Sequence, residues 1–173
     1  MKLNYLNRIL RFYTFSSLAE AEYFFENQKN TQKLFLTATF GDYHCVVKCM
    51  NSLSMELEFC LGFSSETKPD DLILLPKYEA DRWIVQVDNS LFLISPSKGK
   101  VIHTLDFYAP LIGLYSKGDR ILALEEVGLK VFDINGKILQ SHRMDLPQTF
   151  ELKENTLLVT TSNDEQLKFR LDL

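Results

Sequence analysis

A chain of 173 residues, 46% of them hydrophobic and 24% charged, has the composition of a globular protein with one domain or two small ones. Its net charge of −4 disfavours binding to a nucleic-acid backbone, which requires clustered lysine and arginine. No apolar run reaches the roughly 18 residues of a membrane-spanning helix and no signal peptide is apparent, so we expect a reduced, cytoplasmic protein.

The first predicted elements are a strand and then a helix. Ile9–Phe15 is apolar and aromatic, as in a buried strand. Ser16 or Ser17 can cap a helix over residues 17–28, and Asn30 is a plausible stop. The apolar residues recur at helical spacing on one face, at Leu18, Ala21, Phe24 and Phe25.

Three strands are predicted next. Leu34–Phe40 leads through a tight Gly41-Asp42 turn into Tyr43–Met50. Met55–Phe63 alternates apolar and polar residues, which predicts a half-buried strand. The polar segment Ser64–Asp71 is the best candidate linker.

From residue 72 onward the sequence repeats itself. Similar strand pairs begin at Asp81, Asp119 and Asn155, which lie 38 and 36 residues apart. Leu111–Tyr115 and Phe150–Leu152 supply a further strand in two of these repeats. A period near 40 with several short strands is typical of propeller blades or related β-meanders.

The turns of the repeats contain Gly99-Lys100 and Gly136-Lys137, which are 37 residues apart. Asn135-Gly136 predicts a two-residue hairpin, because such turns require positive φ.

The predicted fold class is therefore mainly β (α+β), a β-meander with propeller-blade-like repeats and one N-terminal amphipathic helix. We divide the chain into a strand–helix–strands region, 1–68, and a repeat region, 69–173, within one compact unit. The N-terminal strands form either a fourth blade-like sheet or an α+β cap on an open meander.

The acidic excess lies wholly in the repeat region. Residues 1–68 carry seven basic and seven acidic groups, whereas residues 69–173 carry twelve basic and sixteen acidic groups. This distribution mildly favours a basic partner, and the alternative is an ordinary solvated surface.

The cysteines and histidines are the only residues that suggest chemistry. Cys45 and Cys49 lie four apart in an apolar strand beside His44, so both side chains point the same way. We favour buried packing over a zinc site or a reactive thiol for these two residues and for Cys60. His103 and His142 are interpreted as strand-end residues, and with no phosphate-binding loop or nucleophile elbow we expect no catalytic residue, metal or cofactor.

The segments VDNSLFLI, EEVGLKVFDINGKIL and NTLLVTTSNDEQLKFRLD carry a resemblance to known proteins. They resemble blade-like modules of small bacterial proteins and also look like quinoprotein-type propeller repeats. The tryptophan that quinoprotein repeats carry after the Gly-Lys hairpin is replaced here by His103 and by Ser141 or His142, which weakens any cofactor inference. Several proteins with such modules are immunity proteins of contact-delivered or Rhs-type polymorphic toxins, so the resemblance implies that role.

The leading hypothesis is a non-enzymatic inhibitor that binds a cognate, basic bacterial toxin, with no nucleic-acid or membrane partner. The alternatives are a scaffold or assembly subunit that binds a host protein through its β surface, and an enzyme whose site is built around His44 and the cysteines. The expected partner-binding residues are acidic groups and exposed tyrosines: Asp70, Asp71, Glu125, Glu126, Asp164, Glu165, Tyr108 and Tyr115.

Overall fold

The computed structural model describes residues 2–5, 7–29, 31–37, 39–68, 74–77, 80–145, 147–153 and 156–170. In these ranges lie sixteen strands and one helix, so the predicted mainly-β class is confirmed. The chain divides into two compact units, Met1–Ile102 and His103–Leu173. The boundary after residue 68 stays a prediction.

The first sheet is built from five strands and carries the helix. In chain order the elements are β1 (Lys2–Tyr5), β2 (Arg8–Phe15), α1 (Leu18–Glu26), β3 (Gln32–Leu36), β4 (Tyr43–Asn51) and β5 (Leu57–Ser65). The strand order is β1-β2-β4-β5-β3, and only β3 is parallel to its neighbour. The four antiparallel strands therefore form a blade-like meander, to which α1 and β3 are an addition.

The predicted helix is confirmed, with slightly shorter bounds. The Ser17 hydroxyl accepts a hydrogen bond from the backbone N–H of Glu20 at 3.3 Å, which makes Ser17 the N-cap. Ala21 and Phe25 are buried and pack on one face of the sheet. Within the described ranges no helix has the length and apolar character needed to span a membrane.

Two expectations for this sheet are wrong. The strand before Gly41 ends at Leu36 and pairs in parallel with β5, because β2 already occupies the free side of β4. The strand β5 begins at Leu57 and is buried on both faces, because α1 covers the side that carries Cys60. Sequence alternation had predicted only one buried face.

The core of the first unit lies on the other face of this sheet. Phe59 meets the ring of Trp83 edge-on, with centroids 5.1 Å apart. The cluster joins the first sheet to the following blade and includes Leu10, Cys45, Val47, Cys49, Leu61, Phe63, Val85 and Ile94.

Three further sheets follow the predicted repeat. The first blade comprises β6 (Leu74–Lys77), β7 (Arg82–Val87), β8 (Ser90–Ser95) and β9 (Lys100–Asp106), and the division between the units falls within β9. The second comprises β10 (Leu111–Lys117), β11 (Arg120–Glu125), β12 (Gly128–Asp133) and β13 (Ile138–Arg143). The third comprises β14 (Pro147–Lys153), β15 (Thr156–Thr161) and β16 (Gln166–Arg170). The extra strands predicted near residues 111 and 150 are thus confirmed.

The same turn recurs in all three blades. Its last residue is Gly99, Gly136 or Asp164, with φ of 57°, 89° and 62°. In each case the N–H of that residue donates to the carbonyl three positions earlier, at 3.2, 2.9 and 3.0 Å. The repeat of the sequence is therefore a repeat of backbone geometry as well.

The predicted two-residue hairpin at Asn135-Gly136 is wrong in detail. The loop between β12 and β13 spans residues 134–137, and only Gly136 has positive φ. The carboxylate of Asp133 accepts hydrogen bonds from the N–H groups of Asn135 and Lys137, both at 2.9 Å. This side chain stabilises the longer loop.

Replacing Gly136 by alanine is expected to destabilise the protein more than replacing Gly118. Both glycines have positive φ, so both variants carry a strain of about 1–2 kcal/mol. A Cβ on Gly136 would lie 2.3 Å from His103 Cδ2, whereas a Cβ on Gly118 would meet nothing within 4 Å. Adding His103→Ala to Gly136→Ala should recover most of the difference in urea unfolding, because only the Cβ of residue 103, at 2.9 Å, then remains close. Equal losses for the two single variants would contradict this account.

Candidate protein-binding groove

The structure describes most of the predicted partner-binding residues, and their surroundings differ from one residue to the next. Asp70 and Asp71 lie outside the described residues. Asp164 and Glu165 are exposed in the turn between β15 and β16. Glu126 is exposed in the turn that follows β11.

The two tyrosines differ from each other. Tyr108 is 93% exposed in the segment between β9 and β10, as expected. Tyr115 is only half-exposed, because its ring packs edge-on against Phe150 with centroids 6.1 Å apart. Partial burial also raises the pKa of the Tyr115 hydroxyl. The expectation of an exposed Tyr115 is therefore wrong.

The expectation that Glu125 lies on the surface is also wrong. Its residue exposure is 4%, because it is the last residue of β11 and points inward, whereas Glu126 points out. Lys130 Nζ lies 3.0 Å from Glu125 Oε1, and the two side chains are 17% and 6% exposed. The ammonium group also sits 4.2 Å from the centroid of the Phe107 ring. The result is a buried ion pair capped by an aromatic face.

This ion pair lies in a groove of about 440 Å³ within the second unit. The groove is formed by the segment after β9, the turn between β11 and β12, and the end of β13. Its main lining residues are Tyr108, Val127, Lys130, Ser141, Arg143 and Met144. Of the predicted residues, Tyr108 and Glu125 line it, whereas Glu126, Tyr115, Asp164 and Glu165 do not.

The rim of the groove is apolar with one cation. Val127 is 50% exposed in the β-turn, an unusual position for an apolar side chain. Arg143 is exposed and makes no ion pair with any described residue. His142 also lines the groove, and its ring packs on the ring of Phe169 with centroids 5.0 Å apart. Sequence reasoning missed Val127, Lys130 and Arg143.

The cysteines occupy the buried positions that were predicted. Cys45 and Cys49 point together into the core of the first unit, and Cys60 points towards α1. Burial raises the pKa of Cys45 to about 12. Burial also raises the pKa of Cys60 to about 11, although the nearby Lys48 acts in the opposite direction. Among the residues that the structure describes, no cluster of His, Cys, Asp or Glu could hold a metal ion.

A histidine–serine pair beside the cysteines was not predicted. His44 Nδ1 lies 2.9 Å from Ser64 Oγ, and the two residues are direct partners across β4 and β5. Ser64 is only 4% exposed. The pair therefore serves as a hydrogen bond between strands, since a nucleophilic hydroxyl must be reachable by its substrate.

A second cleft, of about 270 Å³, lies within the first unit. Arg8 Nε donates to Glu58 Oε2 at 2.5 Å on one side of it. On the other side, the Asp81 carboxylate accepts hydrogen bonds from the hydroxyls of Ser95 and Ser97 and from the Ser97 N–H. The charged groups of the cleft are thus already bonded within the protein, so we assign the cleft a structural role.

Asp81 should make stability depend on pH. Partial burial acts to raise the pKa of its carboxyl group, but the hydrogen bonds from Ser95 and Ser97 and the neighbouring Arg82 outweigh it, and the pKa is lowered. Because the folded pKa lies below the unfolded value near 3.9, the stabilisation is present above about pH 4 and is lost as the pH falls further.

Asp81→Asn keeps a side chain that tolerates the positive φ at this position, 49°, and should cost about 1–3 kcal/mol at pH 6. Urea unfolding should show the difference from the unmodified protein shrinking below about pH 4. Ser97→Ala, which removes one donor side chain, should give a smaller loss with the same sign. A difference that stays constant with pH would contradict this interpretation.

No family model matches the chain, and no curated protein matches it. Solved structures do share its fold. BamB from Moraxella catarrhalis is 13% identical with a TM-score of 0.51, over 76% of this chain and 41% of its own. The computationally designed Ika4 protein is 13% identical with a TM-score of 0.51, over 84% of this chain and 93% of its own.

The N-terminal domain of Nup159 is 12% identical with a TM-score of 0.51, over 72% of this chain and 35% of its own. This chain therefore spans less than half the length of BamB and of the Nup159 domain. Both are β-propeller proteins, so the likeness shows a propeller-like fold.

Proposed function

We propose that this chain is a non-enzymatic protein-binding inhibitor, and specifically an immunity protein that neutralises a cognate bacterial toxin in the cytoplasm. The observation that carries the proposal is the groove of the second unit, with Tyr108 93% exposed at its rim. An exposed tyrosine beside a preformed groove is the arrangement that dominates binding energy in many protein interfaces.

The floor of the groove favours rigid recognition. The Glu125–Lys130 ion pair and the hydrogen bond from the Met144 N–H to the Val127 carbonyl, 3.2 Å long, hold its walls in place. A partner that binds here orders few side chains, so less of the interaction energy is spent on lost entropy.

The proposed mechanism is stoichiometric occlusion. The toxin places a segment in the groove and Tyr108 packs against it, so that this chain covers the toxin's active site. The net charge of −4 attracts a basic toxin over long range and raises the rate of encounter. The residence time depends on the buried contacts at the groove.

The proposal predicts a toxin gene immediately upstream of this gene, and the direct test is co-expression with the toxin domain that it encodes. The unmodified chain should restore growth and bind the purified toxin domain in calorimetry. Tyr108→Ala should weaken binding by about 2 kcal/mol, roughly 30-fold. Tyr23→Ala is the matched control, because Tyr23 is 76% exposed on α1 of the first unit. Absence of protection, or equal losses for the two variants, would refute the proposal.

A scaffold that binds a host protein is the second candidate, and a separate observation favours it. The first unit exposes Phe40 by 75% and Leu53 by 87%. Phe40 and Leu53 flank opposite ends of β4, so a scaffold that used the Leu53 end should lose its host partner on Leu53→Ser and keep it on Tyr108→Ala. The immunity protein should show the opposite pattern.

A further inference from the structure

The outer strand of the second blade has an open edge. In the described part of the chain, β13 pairs with β12 on one side and with no strand on the other. The outer strand β16 carries Lys168 at its centre, which discourages pairing with another chain, and the outer strand β9 carries charged residues at both ends, Lys100 and Asp106. In β13 the first charged residue is Arg143, at its end.

The direction of the backbone groups along β13 follows from one hydrogen bond. The Met144 N–H donates to the Val127 carbonyl at 3.2 Å, towards β12. Along an antiparallel edge strand, the backbone N–H and C=O groups of successive residues point alternately towards the neighbouring strand and away from it. The N–H groups of Ser141 and Arg143 therefore point away from β12. The register shift that precedes Gln140 leaves 140–143 as a regular run.

The outward backbone groups lie beside the groove. Ser141 is the register partner of Lys130, and Arg143 is the partner of Gly128, so these side chains share one face. Both line the groove together with Tyr108. A strand added to this edge would continue that face and place every second side chain towards the groove.

The charge near the end of β13 indicates which side chain the added strand should carry there. Glu125 already neutralises Lys130, whereas Arg143 has no ion-pair partner among the described residues. Glu126 does not line the groove. The uncompensated charge of the groove is therefore positive, and a carboxylate is its complement.

We propose that the partner binds here by β-strand addition: an extended segment pairs with residues 140–143, with a carboxylate opposite Arg143 and an apolar side chain against Tyr108. This inference rests on the proposed function, since it assigns the way in which the inhibitor holds its partner. Strand addition gives the partner backbone hydrogen bonds to β13, which the proposed function by itself does not require.

The probe is a blocked peptide of about eight residues in which valine and threonine alternate and one valine is replaced by glutamate. Amide exchange by NMR on the full chain should slow about tenfold at Ser141 and Arg143 at saturation, with no change at Lys168. A peptide with lysine in place of the glutamate should bind about tenfold more weakly. A peptide N-methylated along one edge should lose the protection.

The variant Ser141→Pro removes an outward donor and leaves the bonds to β12 in place. Its matched control is Lys168→Pro: the bond from the Thr161 N–H to the Glu165 carbonyl sets the same alternation in β16, so the Lys168 N–H also points outward. Ser141→Pro should abolish the amide protection that the peptide gives and weaken the binding of the toxin at least about tenfold. Lys168→Pro should change neither. If Ser141→Pro does not fold, the N-methylated peptide decides the question with the unmodified chain.

The outcomes separate the two proposals. If the toxin binds through Tyr108 but Ser141→Pro binds it as the unmodified chain does, strand addition is overturned and the proposed function stands. If the peptide protects both amides but no toxin is neutralised, the edge site stands and the immunity role falls. Absence of protection at both amides with the unmodified chain overturns strand addition.

Discussion

Replacing Glu125 by leucine is expected to lower the free energy of unfolding by about 3 kcal/mol. The change leaves the Lys130 ammonium buried without its carboxylate, 4.2 Å above the Phe107 ring. Removing one member of a buried ion pair typically costs about 3–5 kcal/mol, because the remaining charge stays desolvated. Urea unfolding followed by circular dichroism measures the loss.

The double variant Glu125→Leu with Lys130→Met should recover most of this loss, because two apolar side chains of similar size need no compensating charge. Glu151→Leu is the control, since the Glu151–Lys153 pair, 2.9 Å long, has side chains that are 60% and 63% exposed. Its stability should change little, because solvent screens an exposed pair. Equal losses for the single and double variants would show that packing at Glu125, not its charge, matters.

The blades could be predicted because their signal is local. Each strand pair lies within one repeat, and the turns recur with a residue of positive φ at Gly99, Gly136 and Asp164. The sequence shows this period directly. The first sheet was harder, because β3 pairs with β5 and not with its neighbour in the chain. No sequence feature near Gly41 indicates that β2 occupies the position next to β4.

The groove was only partly predictable. Tyr108 lies in a short segment between two strands, which is enough to predict exposure. Adjacent residues of a strand point to opposite faces, and only the position at which β11 ends shows that Glu125 points inward and Glu126 does not. Lys130 and Arg143 lie on other strands, and no spacing in the sequence connects them with Tyr108. The turn residue Val127 was the available signal, because an apolar side chain in a tight hairpin is exposed.

The buried faces of the first unit show the same limit. Alternation in Leu57–Ser65 predicts one buried face, since the sequence of a strand contains no information on what covers its other side. The element that covers the other side is α1. Its periodicity predicts that the helix forms, but not where the helix packs on the sheet. Cys60 is therefore buried by residues of α1, which lie some 35 to 40 positions earlier in the chain.

Replacing Trp83 by alanine is expected to have the largest effect on stability, about 3–5 kcal/mol. Trp83 has 0% exposure and links the blade strand β7 to Phe59 of the first sheet. Its removal leaves a cavity between the two sheets of the first unit, which the surrounding strands fill only in part. Because it is the sole tryptophan, circular dichroism in urea must replace fluorescence as the readout.

Two further variants separate the cavity from the loss of an aromatic contact. Trp83→Phe keeps a ring that can meet Phe59 edge-on, so it should cost less than half as much as alanine. Leu53→Ala, at a side chain with 87% exposure, should change stability by less than about 0.5 kcal/mol. If Trp83→Ala cost no more than Leu53→Ala, the two sheets would not depend on this side chain for their packing, and the other members of the cluster, among them Leu10, Phe63 and Ile94, would have to hold the core of the first unit.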